Sequence, residues 1–414
     1  MSSDSEGPAG RAEGSAYRWT VCGLLFFATA INYIDRQILG ILAPVLQPEI
    51  GWSEAEYGFI VTSFQAAYAI GLLAFGRILD RAGTRKGYTM AAAAWSVAAM
   101  LHGAVNSAAG FGVMRAALGF GEAGNFPAAV KAVSEWFAAR ERAFAVGLFN
   151  SGSNIGAIVT PLIVPWITVQ YGWRMAFVLT GAAGGLWIAA WLWIYRERAP
   201  DTADTGGSVP WTELLRSRAV WAFLIARFLT DPVWWLYLYW APKFLHSRHG
   251  LNLSEMGLPL VVIYTSACGG SVFGGWLSMW CMRRGWTVNA ARKSAILVCA
   301  LLVLPMVFCA SAANLWTAVL ILSLAAAGHQ GWASNMFACL SDLFPKSAVS
   351  SVVGITGFGG SAGGMLAAIA TGFVLQATGS YIPLFLWAGC AYLFILGLIH
   401  VMIPRIEPVV IGKG

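Results

Sequence analysis

The chain has 414 residues, 58% of them hydrophobic and 11% charged, with a net charge of +7. That balance excludes a soluble globular domain of this size, and because hydrophobic runs recur along the whole length the chain reads as a polytopic membrane protein. The basic residues are dispersed over many short loops, which argues against a nucleic-acid partner and suits anionic lipid headgroups. Seven cysteines without CxxC spacing, and no His, Cys and carboxylate cluster at metal-ligand spacing, predict packing roles for the thiols and no metal, cofactor or disulfide framework.

In chain order, residues 1–16, "MSSDSEGPAGRAEGSA", read as a disordered tail, too acidic for a signal peptide. Twelve stretches are then long enough to cross a bilayer as helices, at about 18–46, 55–77, 87–105, 108–133, 143–168, 174–195, 219–245, 256–282, 293–311, 314–340, 349–376 and 381–403. Of the 26 Lys and Arg, only Arg174, Lys243 and Arg248 fall on one face and only Arg36, Arg115 and Arg227 inside spans. All the others lie on the opposite face, so the positive-inside rule predicts cytoplasmic N- and C-termini.

A shift of 207 residues superimposes "SEWFAARERAFAVGLFNSGSNIG" (134–156) on "SDLFPKSAVSSVVGITGFGGSAG" (341–363), aligning Gly147, Gly152 and Gly156 with Gly354, Gly359 and Gly363. Duplication explains this better than coincidence in a Gly-rich chain, and it predicts two pseudo-symmetric six-helix bundles, 17–196 and 218–404. A polar linker at 197–217 joins them, and 405–414 forms a cytoplasmic tail. Two such bundles with ionisable residues near the seam are the plan of a secondary transporter. "GFGEAG" (119–124) matches a dinucleotide fingerprint and "GGSAG" (359–363) a nucleophile elbow, but both lie within apolar spans without the strand either motif needs. An enzyme is therefore not expected.

The informative residues are charges at bilayer depth, each costing at least ~2.5–3.5 kcal/mol on insertion scales. Asp35 and Arg36 are successive and project about 100° apart, so they cannot face each other. Arg115 and Glu122 share a helix face about 10 Å apart along the axis, too far to pair, with Asn125 one turn further on. Counting rise per residue puts Asp35 and Arg115 level, at about 25 Å and 24 Å from the basic face, with Glu122 nearer about 14 Å. This pairs Asp35 with Arg115 and leaves Arg36 for Glu122 or an anionic substrate; a purely structural ion-pair network is the plainer alternative. In span seven, Arg227 and Asp231 are four apart and can pair with each other or offer a substrate contact, and Trp234, Trp235, Tyr237, Tyr239 and Trp240 include rings able to stack on a sugar, although an interface belt or core packing accounts for most of them. In span ten, "AGHQGWASN" supplies His329, Gln330 and Asn335, more polar groups than a lipid-facing helix tolerates.

"GRILDRAGTRK" (76–86) resembles the loop signature between spans two and three of the major facilitator superfamily. "NYIDRQ", "RAALGFGEAGNFPAAVKAVSEWF" (115–137), "FNSGSNIGA" (149–157), "RFLTDPVWW" (227–235) and "AGHQ" (327–330) together resemble its anion:cation symporter family, most nearly the hexuronate transporter branch. The likeness covers essentially the whole chain after residue 16. In the second-half counterpart of the loop, "GGWLSMWCMRRGWTVNAARK" (274–293), the basic residues remain and the acidic one is missing.

The resemblance implies an all-α membrane protein of the inner (plasma) membrane that imports a sugar acid, hexuronate or hexonate, with protons by alternating access; a monomer is expected. It assigns Asp35 and Glu122 to proton coupling, Arg36 to the substrate carboxylate, and Tyr33, Gln65, Tyr68 and Asn150 to the lining of the site. Gly76, Asp80, Arg81, Gly83 and Arg85 become a cytoplasmic latch between halves. Asn125, Arg227, Trp235, His329 and Asn335 complete the candidate substrate contacts, with Arg115 and Asp231 as charge partners. Symport of another organic anion, such as an aromatic carboxylate or phosphate, and a non-transporting sugar-acid sensor are the competing readings.

Overall fold

The computed structural model describes residues 8–197, 209–251 and 257–409. The parts of the expected tail and linker at 1–7 and 198–208 lie outside the described residues, and helix begins at Pro8, inside the segment the sequence marks as disordered. Among the described residues there are helices and no strands: α1 (Pro8–Ile50), α2 (Glu54–Ala82), α3 (Thr84–Leu101), α4 (Ala108–Glu122), α5 (Asn125–Trp136), α6 (Ala139–Tyr171), α7 (Trp173–Ile194), α8 (Trp211–Arg216), α9 (Arg218–His249), α10 (Gly257–Arg283), α11 (Val288–Val303), α12 (Leu315–Leu343), α13 (Val349–Thr378) and α14 (Ile382–Met402).

Local chemistry sets these boundaries. Ser53 caps α2 in a capping box with Glu56, Ser107 caps α4, and Asn314 caps α12. Between α2 and α3 the chain turns at Gly83, whose φ of 81° favours glycine. The span expected at 108–133 is broken at Ala123 and Gly124, because Pro127 cannot donate to the carbonyl four residues back.

Eight helices, α2, α6, α7, α9, α10, α11 with the 3-10 turn after it, α13 and α14, are by length and composition able to cross a membrane. The other four places where the sequence predicts a span hold α1, α3, the α4–α5 pair and α12. α4 and α5 are each too short to cross alone, and α1 and α12 carry polar groups, of which Arg36, His329 and Gln330 line the central cavity.

The repeat is visible in the packing. A Cβ at Gly147 would lie 2.3 Å from the carbonyl oxygen of Ser271 on α10, and one at Gly354 would lie 2.2 Å from that of Leu72 on α2. Each glycine thus lets its helix, α6 or α13, lie directly on a helix of the other half. Gly156 and Gly363 serve the same end within a half, the first against Ala30 of α1 and the second against Phe228 of α9.

Candidate functional site

Halfway along the molecule the two halves enclose a cavity of about 110 Å³. From the first half it is lined by Tyr33, Arg36, Tyr68, Phe126 and Asn150, and from the second by Arg227, Asp231, Trp234, Trp235, His329, Gln330 and Phe337. Two further cavities, of about 290 and 320 Å³, share Trp235 with it, and the larger also shares Tyr33, Arg36 and Trp234. The larger extends along α1 and α2 past Gly40 and Tyr57, towards the ends of those helices away from the basic loops.

Arg36 is the focus of the first half. Its Nε donates to Glu122 Oε2 at 2.8 Å, and its guanidinium lies over the rings of Tyr33, Tyr68 and Phe64 at 4.8, 4.7 and 5.1 Å. Flat aromatic faces hold a guanidinium by cation–π attraction without satisfying its donors, and beyond Glu122 the guanidinium makes, among the described residues, only a long 3.5 Å hydrogen bond, from Nη2 to Asn32 Oδ1, which suits it to an anion. Glu122 is wholly buried behind it and does not line the cavity.

The expected pairing of Asp35 with Arg115 is not made as a direct hydrogen bond, although the Arg115 charge acts on Asp35. Arg115 Nη2 donates to the backbone carbonyl of Arg36 at 3.0 Å, whereas neither carboxylate oxygen of the buried Asp35 has a hydrogen-bond partner. Thr180 lies beside Asp35, but its hydroxyl donates to Phe177 O at 3.3 Å.

In the second half, the i,i+4 pair expected in span seven is present, with Arg227 Nε and Nη2 at 2.9 and 2.8 Å from Asp231 Oδ2. His329 stacks on Trp234 at 5.4 Å and shares a 2.6 Å hydrogen bond with the Tyr392 hydroxyl. The Asn150 amide bridges the halves, donating to Gln330 Oε1 and Ser271 Oγ at 2.9 Å each.

Two candidate contacts face elsewhere. Asn125 is fully buried and occupied by Tyr88 and Thr29, and Asn335 donates to the carbonyls of Gly274 and Gly331 at 2.9 and 3.0 Å, so neither amide lines the cavity. Gln65 lies in the adjoining cavities rather than the central one. Sequence reasoning missed Phe64, although it stands four residues before Tyr68 on one face of α2, and the two rings stack at 5.8 Å. It also left Gln330 out of the site despite its place beside His329.

On the basic face the halves are sealed. Asp80 accepts from the backbone N–H groups of Ser350 and Ser351 at 3.2 and 2.7 Å, capping α13 across the seam, and Lys131 Nζ is 3.2 Å away. A Cβ at Gly76 would lie 2.7 Å from Ser350 O. Of the other expected latch residues, Arg85 donates to Leu192 O within its own half, Arg81 is exposed, and Gly83 abuts Glu197; these three do not bridge the halves. The second seam has no acid equivalent to Asp80. There Asp342 accepts from Arg142 of the other half and from Arg292, both at 2.9 Å.

A family model for the Major Facilitator Superfamily matches residues 25–291. The chain belongs to this superfamily. It is 31% identical over 389 residues to the hexuronate transporter of Escherichia coli (strain K12), covering 89% of this chain and 90% of the relative. To the galacturonate transporter of Dickeya chrysanthemi it is 32% identical over 308 residues, 69% of this chain and 89% of the relative. Among solved structures, the proton:xylose symporter XylE superimposes with a TM-score of 0.76 at 14% identity, over 95% of this chain and 97% of that one. The Escherichia coli fucose:proton symporter FucP gives 0.71 at 14% identity, over 92% and 98%. As a major facilitator protein the chain is a multi-pass membrane transporter, not an enzyme, and its fold is all-helical.

Proposed function

We propose that the chain carries a sugar acid with a single carboxylate into the cell by proton symport. The observation that carries this reading is the orientation of the Arg36–Glu122 pair, with the guanidinium facing the cavity and the carboxylate behind it. A substrate carboxylate that takes the planar fork of Arg36 weakens its hold on Glu122. Glu122 then sits in a dry site without its counter-charge, where the neutral, protonated form is favoured. One anion and one proton together leave the charge of the pocket unchanged, so the loaded carrier rearranges without burying a net charge.

Asp35, buried and without a hydrogen-bond partner, is the second proton-coupling carboxyl. Tyr33, Tyr68, Asn150 and Gln330 offer donors and acceptors to the hydroxyls, and Trp234 and Trp235 offer ring faces. With the basic loops cytoplasmic by the positive-inside rule, the sealed face is the inner one, and the cavities past Tyr57 lead outward.

Galacturonate uptake into proteoliposomes, driven by an alkaline interior, tests this directly. Accumulation that collapses with a protonophore supports the reading. Uptake of an aromatic carboxylate or phosphate in its place contradicts it.

A further inference from the structure

The two arginines of the cavity are paired in opposite ways. Glu122 stands behind Arg36, outside the cavity lining, so the cavity side of that guanidinium is left to a ligand. Asp231 lines the cavity together with Arg227, and a single oxygen, Oδ2, receives both Nε and Nη2. It occupies the part of the arginine that a substrate carboxylate would otherwise take. Its other oxygen, Oδ1, accepts no hydrogen bond and is not among the buried atoms.

The pair is held in place. A Cβ at Gly360 would stand 2.1 Å from Asp231 Oδ2, and one at Gly357 3.2 Å from Arg227 Nη1, so α13 carries glycine opposite both ends of the pair and packs its backbone against them. The Phe337 ring lies 4.9 Å from the guanidinium carbon.

Resting on the sugar-acid reading above, we infer that Asp231 is a specificity residue: it fills the anion seat of Arg227 and offers its free oxygen to a substrate hydroxyl. The site is therefore polar end to end, with a cation at Arg36 for the carboxylate and an acceptor at Asp231 for the far hydroxyl. A substrate with a carboxylate at both ends sets its second charge against Asp231, and like charges in a desolvated site exclude it. Replacing Asp231 with Asn removes the repulsion and frees the Arg227 fork for a second carboxylate.

Galactonate and galactarate test this, since they share one carbon chain and hydroxyl pattern and differ in the far end group, a hydroxymethyl in the first and a carboxylate in the second. We expect the wild-type protein to bind galactonate at least about tenfold more tightly than galactarate by calorimetry, and Asp231→Asn to invert that order. Asp231→Asn should also gain more thermal stability from galactarate than from galactonate, because the diacid restores a partner to Arg227. Equal binding of the two acids by wild type overturns the inference without any variant. A parallel loss of both acids in Asp231→Asn, with their ratio unchanged, overturns it as well. Wild-type protein that binds galacturonate, galactonate and galactarate not at all overturns the sugar-acid reading itself, and this inference with it.

Discussion

Arg36 of α1 and Glu122 of α4 meet with Nε 2.8 Å from Oε2, and only the arginine faces the cavity. In the proposed mechanism, this arrangement lets Arg36 take the substrate and Glu122 the proton, with the guanidinium as the group that the substrate carboxylate and Glu122 compete for.

Arg36→Lys should weaken sugar-acid binding sharply while leaving the protein folded. Lysine keeps the charge, but it loses the planar fork and the broad contact with Tyr33, Phe64 and Tyr68. A loss of at least about tenfold in affinity is expected from one charge-assisted hydrogen bond. Calorimetric titration with galacturonate checks it, and near-normal affinity contradicts the assigned role.

Asp35→Asn should change thermal stability by less than about 1 kcal/mol, or raise it, while abolishing proton-driven accumulation. The carboxyl makes no hydrogen bond in the structure, so its replacement breaks none. A large fall in the melting temperature would show that Asp35 holds Arg115 after all.

Asp80→Asn should open the sealed face. The carboxylate holds two amides at the start of α13 and faces Lys131, and hydrogen bonds to charged groups contribute about 1.5–3 kcal/mol each. Their loss moves a two-state equilibrium by about tenfold or more. Spin labels at the exposed positions Arg140 and Arg283 should report a longer, more populated distance in the variant. An unchanged distance distribution would remove Asp80 from the latch.

The sequence made the fold legible through patterns that tolerate error. The 207-residue repeat depends on glycines at helix crossings, and Gly147 and Gly354 do lie at equivalent ones. The Arg227–Asp231 pair was legible because helix spacing alone brings such residues together. Partnerships between helices were not. Asp35 and Arg115 share a depth and act on each other through charge, but depth alone does not say whether a hydrogen bond joins them. Asn125 and Asn335 carry amides suited to a sugar, but a buried amide also satisfies neighbouring groups, and here each is turned to its own packing layer. The break before Asn125 was written in Pro127 and passed over because the surrounding hydrophobic run is long enough to span.

Coupling of proton to substrate through Glu122 is tested most directly by one pair of assays on Glu122→Gln. Glutamine resembles a permanently protonated carboxyl, so the variant should exchange labelled galacturonate across proteoliposome membranes by counterflow, which needs no net proton movement. The same vesicles should fail to accumulate galacturonate when a pH gradient is imposed. Accumulation by Glu122→Gln at the wild-type level, with the wild-type dependence on pH, would contradict the account.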